Sequence, residues 1–151
     1  MLDLEAIELI KQLKARYFRA IDTCDLEMLR NILTPDIKLA FKSPAYEFHL
    51  EGLDKTLDFY KTSFTKTRLA MHNGHTPEIE VNGDEASGLW YLNYVFINLD
   101  DKTHMNGGAI YEDRYVKRDG GWRIAETGYK TLLETLQPLS EQLKITSKPI
   151  N

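Results

Sequence analysis

A chain of 151 residues suffices for one domain with a substantial hydrophobic core and does not require a second. Its formal net charge of -4 and sequence pI near 5.6 give no basic surface of the kind that binds nucleic acid, so no nucleic-acid partner is expected. Charges interrupt the longest apolar runs and the first residues carry no basic segment, which argues against a membrane span or a signal peptide and favours a cytoplasmic protein.

The first half of the chain has the periodicity of helices. Apolar residues recur at steps of three or four over residues 3–23, which predicts an amphipathic helix that ends near Asp22. Asp25 is a suitable N-cap for a second, short helix that carries Leu33 and stops before Pro35. A third helix is predicted from the spacing of Leu53, Leu57, Tyr60 and Phe64.

Alternation of apolar and polar residues predicts the strands. A strand is expected around Ile37, Leu39 and Phe41, and another begins at Phe48 and Leu50. From residue 67 onward the pattern is that of strands only. The predicted ranges are 67–75, 78–82, 86–98, 105–117 and 121–134, separated in part by Gly- and Asp-containing turns.

This order of elements predicts an α+β fold, with N-terminal helices packed on one face of an antiparallel sheet. Strands of eleven or more residues must twist and curl. The sheet is therefore expected to be strongly curved and to form a half-open, cone-shaped α+β barrel over the first helix, with a pocket inside. Residues 1–135 would form this single domain, and residues 136–151 a C-terminal arm or cover.

The strand predicted over residues 86–98 is apolar on both faces. One face carries Trp90, Leu92, Tyr94 and Phe96, and the other carries Leu89, Tyr91, Asn93 and Val95. We favour a core on one side and an oligomer interface on the other, in preference to two ligand surfaces. Gly107-Gly108 in the next strand indicates a bulge or close packing, because no lysine and helix start follow as they would in a phosphate loop.

His72 is the main candidate for a catalytic group, because histidine can act as a base near neutral pH. Its natural carboxylate partner, Asp22, lies fifty positions earlier, so the pair exists only if the fold brings the two together. The alternative is a histidine hydrogen-bonded within the sheet. His75 would face the opposite side of the strand and is interpreted as structural. With one cysteine, Cys24, no disulfide and no metal site is expected.

Several strings of the chain, taken with the order of its elements, resemble the SnoaL-like branch of the nuclear transport factor 2-like superfamily. They cover nearly all of residues 4–134. The strings are Lys14-Ala15-Arg16-Tyr17-Phe18-Arg19-Ala20-Ile21-Asp22, Met71-His72-Asn73-Gly74-His75-Thr76-Pro77-Glu78-Ile79, Gly88-Leu89-Trp90-Tyr91-Leu92, Asn106-Gly107-Gly108-Ala109-Ile110-Tyr111 and Gly121-Trp122-Arg123-Ile124-Ala125-Glu126-Thr127-Gly128-Tyr129.

The resemblance implies a dyad. In the dehydratases and dehydrohalogenases of this superfamily, an Asp on the first helix orients a His on the strand after the third helix, and these positions match Asp22 and His72. A Tyr five residues before the Asp matches Tyr17, which lies roughly 140° from Asp22 around the helix, so both can line one cavity only if the helix is embedded in the cone. Ligand contacts are expected from Phe18, Trp90, Tyr94, Asn106 and Tyr129.

Two positions depart from the pattern of the bile acid 7α-dehydratases, which the chain otherwise resembles most. Their acidic residue after Trp-Tyr-Leu corresponds here to the Asn93-Tyr94 region, and their Arg after Gly-Tyr to the Lys130-Thr131 region. These departures argue against the same substrate.

The expected function is a cofactor-independent lyase or isomerase that performs a dehydratase-like elimination on a hydrophobic cyclic molecule such as a steroid or polyketide. The alternative is a non-catalytic binding protein or a structural subunit, and a homo-oligomer, a trimer or dimer, is expected in either case.

Overall fold

The computed structural model describes residues 1–147. Three helices lie against one six-stranded sheet, as the α+β prediction requires. The helices are α1 (Leu4–Thr23), α2 (Leu26–Ile32) and α3 (Leu53–Ser63); the strands are β1 (Leu33–Lys42), β2 (Glu47–Glu51), β3 (Arg68–Asn82), β4 (Glu85–Asn98), β5 (Thr103–Arg118) and β6 (Gly121–Pro138). Within this described part, none of the helices combines the length and apolar character needed to cross a bilayer.

The helix starts are fixed by aspartate caps. Asp3 accepts a hydrogen bond from the N–H of Ala6 at 3.0 Å, and Asp25 accepts one from the N–H of Met28 at 2.9 Å. The Asp25 cap is therefore confirmed. The prediction that the second helix extends through Leu33 is wrong, because Leu33 has an extended backbone and already begins β1, which includes Pro35.

The sheet has the order β2-β1-β6-β5-β4-β3 and is curved and not closed, with β2 and β3 at its edges. Four pairs of strands are consecutive in sequence and adjacent in the sheet: β1–β2, β3–β4, β4–β5 and β5–β6. All four are antiparallel, as predicted. One pair differs: β1 runs parallel to β6. This parallel contact places the last strand of the sequence beside the first.

Strand β3 is one element, whereas the sequence suggested two strands over residues 67–75 and 78–82. The pairing with β4 shifts register between His75 and Glu78. Thr76 has a positive φ of 45° at this point, and Pro77 has no N–H to donate to the ladder. The residues that suggested a break therefore make a bulge that bends the strand without ending it.

The last strand reaches beyond the predicted domain boundary. Strand β6 continues to Pro138, which pairs with Thr103, so the first residues of the predicted 136–151 arm belong to the sheet. Residues 139–147 form no helix or strand, and residues 148–151 lie outside the described residues. The division into a domain and an arm stays a prediction.

The concave face of the sheet carries the core. On β4, Trp90 and Leu92 are 6% and 1% exposed, whereas Leu89 and Tyr91 on the convex face are 43% and 51% exposed. Helix α1 buries a wide face against this surface, including Tyr17 and the side chain of Lys14. The helix is therefore embedded in the concavity, and residues on different sides of it can contact the same interior.

Candidate functional site

Asp22 and His72 meet at the point where the last turn of α1 crosses β3. The Asp22 Oδ1 atom lies 2.5 Å from His72 Nδ1, and the second oxygen, Oδ2, accepts the backbone N–H of His72 at 3.0 Å. The carboxylate thus holds both the ring and the main chain of its partner. The two residues are fifty positions apart in the sequence, and the packing of α1 on β3 brings them together.

This contact selects the tautomer of the histidine. An ionised carboxylate can only accept, so Nδ1 carries the hydrogen and Nε2 of the neutral ring has a free lone pair. The imidazole is 12% exposed and the carboxylate 20% exposed. Three aromatic rings surround the imidazole: Phe18 and Tyr94 are nearly parallel to it with centroids 6.3 Å away, and Phe64 meets it edge-on at 5.6 Å.

His72 lines a cavity of about 370 Å³ between the helices and the concave sheet. Most of the other lining side chains are aromatic. They are Tyr17, Ile21, Phe41, Tyr46, Glu47, Phe48, Phe59, Tyr60, Phe64, Tyr111 and Tyr129. An apolar cavity with a few polar groups is the usual form of a small-molecule site.

A larger depression of about 650 Å³ lies on the opposite, convex face of the sheet. Charged side chains such as Lys38, Glu80 and Arg114 line it, and neither member of the dyad does. We therefore regard the smaller cavity, which combines apolar walls with a positioned imidazole, as the candidate active site.

Tyr17 reaches the inner end of the same cavity. Its hydroxyl lies 2.6 Å from that of Tyr60, and both side chains are buried. Burial raises the pKa of Tyr17 to about 12. Two hydroxyl groups that share one hydrogen bond keep one further proton to donate, so this pair is a hydrogen-bond donor that stays protonated across the physiological range.

Below Tyr17 lies a buried ion pair. Lys14 Nζ is 2.7 Å from Asp113 Oδ2, and both side chains are 0% exposed. Desolvation lowers the pKa of Lys14 to about 8, although the charge and hydrogen bond of Asp113 oppose the shift. The ammonium also lies 3.7 Å from the ring centroid of Tyr111. Lys14 thus packs against the rings of Tyr17 and Tyr111, which both line the cavity.

The other residues that were expected to contact a ligand lie in different parts of the structure. Tyr129 lines the cavity, and its hydroxyl lies 2.5 Å from that of Tyr46. Tyr94 and Phe18 lie beside His72 and do not line the cavity themselves. Trp90 is in the core, where its indole N–H donates to Tyr115 at 3.0 Å.

Asn106 lies on the wrong face for the expected contact. It pairs with Val95, on the convex side of the sheet, and its amide lies 3.3 Å from the ring of His104. Strand alternation separates it from the concave residues at positions 105 and 107. His75 is on the convex side as well, as strand alternation predicted, and its Nε2 lies 2.7 Å from Asn93 Oδ1.

Sequence reasoning missed most of the residues that line the cavity, and it also missed Glu134. Tyr46 and Tyr60 line the cavity, and the helical spacing that includes Tyr60 was a signal for burial and not for ligand contact. Glu134 hydrogen-bonds the hydroxyl of Tyr94 on the concave face. The pairing of β6 with β5 shifts register twice before that residue, and the two shifts cancel, so Glu134 faces the same side as Trp122. Its even position along β6 was a signal that the sequence reasoning did not use.

The family model for the SnoaL-like domain matches residues 2–128. The chain belongs to the SnoaL-like family. Several solved structures share its fold. The SnoaL-like chain is similar to the hexachlorocyclohexane dehydrochlorinase LinA-type3 of Novosphingobium barchaimii, with 18% identity, a TM-score of 0.78, and coverage of 95% of this chain and 97% of the other.

Two further structures resemble the SnoaL-like chain over most of its length. A protein of Novosphingobium aromaticivorans provisionally assigned as a scytalone dehydratase has 21% identity and a TM-score of 0.74, and 88% of each chain is covered. A nuclear transport factor 2-like superfamily protein of Salmonella enterica has 21% identity and a TM-score of 0.70, with 81% of this chain and 87% of the other covered. At these identities the likenesses show the fold alone, and the reaction has to be argued from the site.

Proposed function

We propose that the chain is a cofactor-independent lyase or isomerase that removes a proton from a hydrophobic cyclic small molecule. The observation that carries this proposal is the Asp22–His72 contact at the wall of the aromatic cavity. Such a dyad, with no adjacent nucleophile, suits general base catalysis on a C–H bond. The dehydrochlorinase and dehydratase names among the structural neighbours agree with an elimination.

In this mechanism His72 Nε2 accepts the proton of a C–H bond next to an electron-withdrawing group. Asp22 keeps the Nδ1 hydrogen in place and stabilises the imidazolium that forms. The electron pair of the broken C–H bond forms a double bond, and the leaving group departs with the electron pair of its own bond. In an isomerase, His72 would return the proton to a different carbon.

Tyr17 is the proposed polar donor. Its hydroxyl pair with Tyr60 can donate to a carbonyl or departing oxygen on which negative charge develops. The raised pKa of Tyr17, caused by burial, makes it a hydrogen-bond donor and a poor proton donor. The aromatic walls favour a flat, mainly apolar ring system such as a steroid or a polyketide, for which a volume of about 370 Å³ provides room.

The test incubates the protein with panels of hydroxysteroids and polyketide-like ketones and detects loss of water by mass spectrometry. His72→Ala should lower the rate about 10²–10⁴-fold, the usual contribution of a positioned base. His75→Ala is the matched control, since that ring lies on the other face of the same strand. A turnover that survives in His72→Ala would exclude the proposed base.

A non-catalytic role is the second candidate. It is supported by the departures near Tyr94 and Thr131, where related dehydratases have an acid and an arginine. Apolar side chains are also exposed on the convex face of the sheet, such as Met71, which is 57% exposed, and Tyr91, which is 51% exposed. They support a homo-oligomer, a trimer or dimer, in which the domain has a structural role. A ligand that raises the melting temperature and is recovered unchanged would favour this candidate.

A further inference from the structure

Four residues form one transverse row on the concave face of the sheet. His72 on β3 pairs with Tyr94 on β4, Tyr94 pairs with Gly107 on β5, and Gly107 pairs with Glu134 on β6. Neighbouring strands are about 4.8 Å apart, so the row carries the base at one end and a carboxylate at the other, with a phenol between them.

Gly107 makes the contact between Tyr94 and Glu134 possible. A Cβ atom at position 107 would lie 2.3 Å from the ring of Tyr94, so the tyrosine ring occupies the space that a side chain on β5 would fill. The hydroxyl of Tyr94 thereby crosses β5 and donates to the Glu134 carboxylate on β6. The acid is thus brought to the face of the sheet that carries His72.

The charge of Glu134 is not neutralised by a neighbouring cation. Over residues 1–147, Glu134 makes no ion pair. The lining of the cavity, as far as the described residues define it, includes neither lysine nor arginine. Lys14 lies close below but is already paired with Asp113.

The negative charge of Glu134 is felt at Tyr46, a residue of the cavity wall. Tyr46 lines the cavity and is 42% exposed, which places it at the mouth. Burial raises the pKa of Tyr46, and the negative charge of Glu134 adds to this effect. A ligand that passes Tyr46 on its way to His72 therefore approaches the carboxylates of Glu134 and Asp22, which lie beside the cavity. A third carboxylate, Glu47, lines the cavity but lies 3.7 Å from the ammonium of Lys42.

We propose that Glu134, held by Tyr94, makes the cavity selective for uncharged ring compounds and against ring compounds that carry a carboxylate, sulfonate or phosphate. The inference narrows the substrate class of the proposed function and rests on the same cavity. It also accounts for the departure from the related pattern, since an arginine that would attract an anion is absent and an acid from another strand is present.

The experiment compares two fluorescent probes with the same ring system, uncharged N-phenyl-1-naphthylamine and anionic 1-anilinonaphthalene-8-sulfonate. The uncharged probe should bind about tenfold more tightly at low ionic strength, and Glu134→Gln should reduce this preference about fivefold, because one charge at close range is removed. Tyr94→Phe keeps the charge and should preserve most of the preference. Glu112→Gln is the matched control for net charge, because Glu112 is exposed on the convex face.

The imidazole signals in proton–carbon NMR spectra locate the bound probe, since the chain has 4 histidines and His72→Ala identifies the relevant one. If the uncharged probe shifts the His72 signal but Glu134→Gln and Glu112→Gln change the preference equally, the selectivity inference is overturned and the cavity stands. The selectivity inference is also overturned, with the cavity retained, if the sulfonate binds as tightly as the uncharged probe. If neither probe shifts the His72 signal, the ligand cavity fails, and the proposed function fails with it.

Discussion

Replacement of Asp113 by asparagine should lower the free energy of unfolding by about 3–5 kcal/mol at pH 7, the usual result of removing one partner of a buried ion pair. Lys14 Nζ lies 2.7 Å from Asp113 Oδ2, and neither side chain is exposed. Asp113 also accepts the hydroxyls of Tyr115 at 2.6 Å and Thr127 at 2.7 Å. The variant therefore leaves a buried ammonium without a counter-ion and weakens two further hydrogen bonds.

The size of this loss should depend on pH. Burial lowers the pKa of Lys14 from 10.5 to about 8, so between these values the unfolded chain binds more protons than the folded one, and stability rises with pH. Without Asp113 the folded-state pKa falls further, and the penalty for the charged lysine is relieved at lower pH. Urea unfolding at pH 7 and pH 9.5, followed by tryptophan fluorescence, should show a smaller Asp113→Asn defect at the higher pH.

Lys14→Met supplies the control for this reasoning. Once the ammonium is gone, Asp113→Asn has no buried cation to expose, so the double variant should be less destabilised than the sum of the two single variants. Equal Asp113→Asn defects at both pH values, together with additive single effects, would refute the assignment of the loss to the buried charge.

Three further changes test burial, close packing and capping. Burial raises the pKa of Tyr17 from 10.0 to about 12, so the folded state retains a proton that the unfolded state loses; stability should fall between these pH values by about 3 kcal/mol from this group alone. Chemical unfolding at pH 10 and at pH 12 should show this loss in the unmodified protein and a smaller loss in Tyr17→Phe, and equal losses in the two proteins would contradict the assignment to Tyr17. A Cβ at Gly128 would lie 1.9 Å from the carbonyl oxygen of Ala40, so Gly128→Ala should cost about 3 kcal/mol in chemical unfolding, while Gly108→Ala, with its nearest atom at 3.6 Å, should cost much less. Asp25→Ala should cost about 1 kcal/mol, and an unchanged melting temperature would show that the cap is dispensable.

The sequence predicted those elements whose local signals agree with their tertiary surroundings. The helices ending near Asp22 and beginning at Asp25 follow apolar spacing and capping chemistry, and both lie within a residue or two of their predicted limits. The parallel pairing of β1 with β6 was not predictable, because strand alternation contains no information on which distant strand becomes a neighbour. The dyad required the family resemblance for the same reason, since its two members are fifty positions apart.

Strand β6 shows a different limit of sequence reasoning. Alternation along β6 from Trp122 would predict which later residues face the core, but the register with β5 shifts between Arg114 and Tyr115 and again between Gly108 and Ala109. Each extra residue moves the following side chains to the opposite face. Thr127 and Tyr129, which lie between the two shifts, therefore face the core against simple alternation, whereas Glu134 lies beyond both shifts and on the same face as Trp122, because the shifts cancel.

The surroundings of His72 depend on glycine as well as on Asp22. A Cβ at Gly74 would lie 2.1 Å from the ring of Phe18, and a Cβ at Gly107 would lie 2.3 Å from the ring of Tyr94. In both places an aromatic ring occupies the volume that a side chain would take, and both rings lie nearly parallel to the imidazole. Because neither ring could keep its position if the glycine were replaced, the two glycines make room for the rings that flank the imidazole. The carboxylate of Asp22 sets the direction of one nitrogen, which is how a base can be pre-organised on a strand without further polar partners.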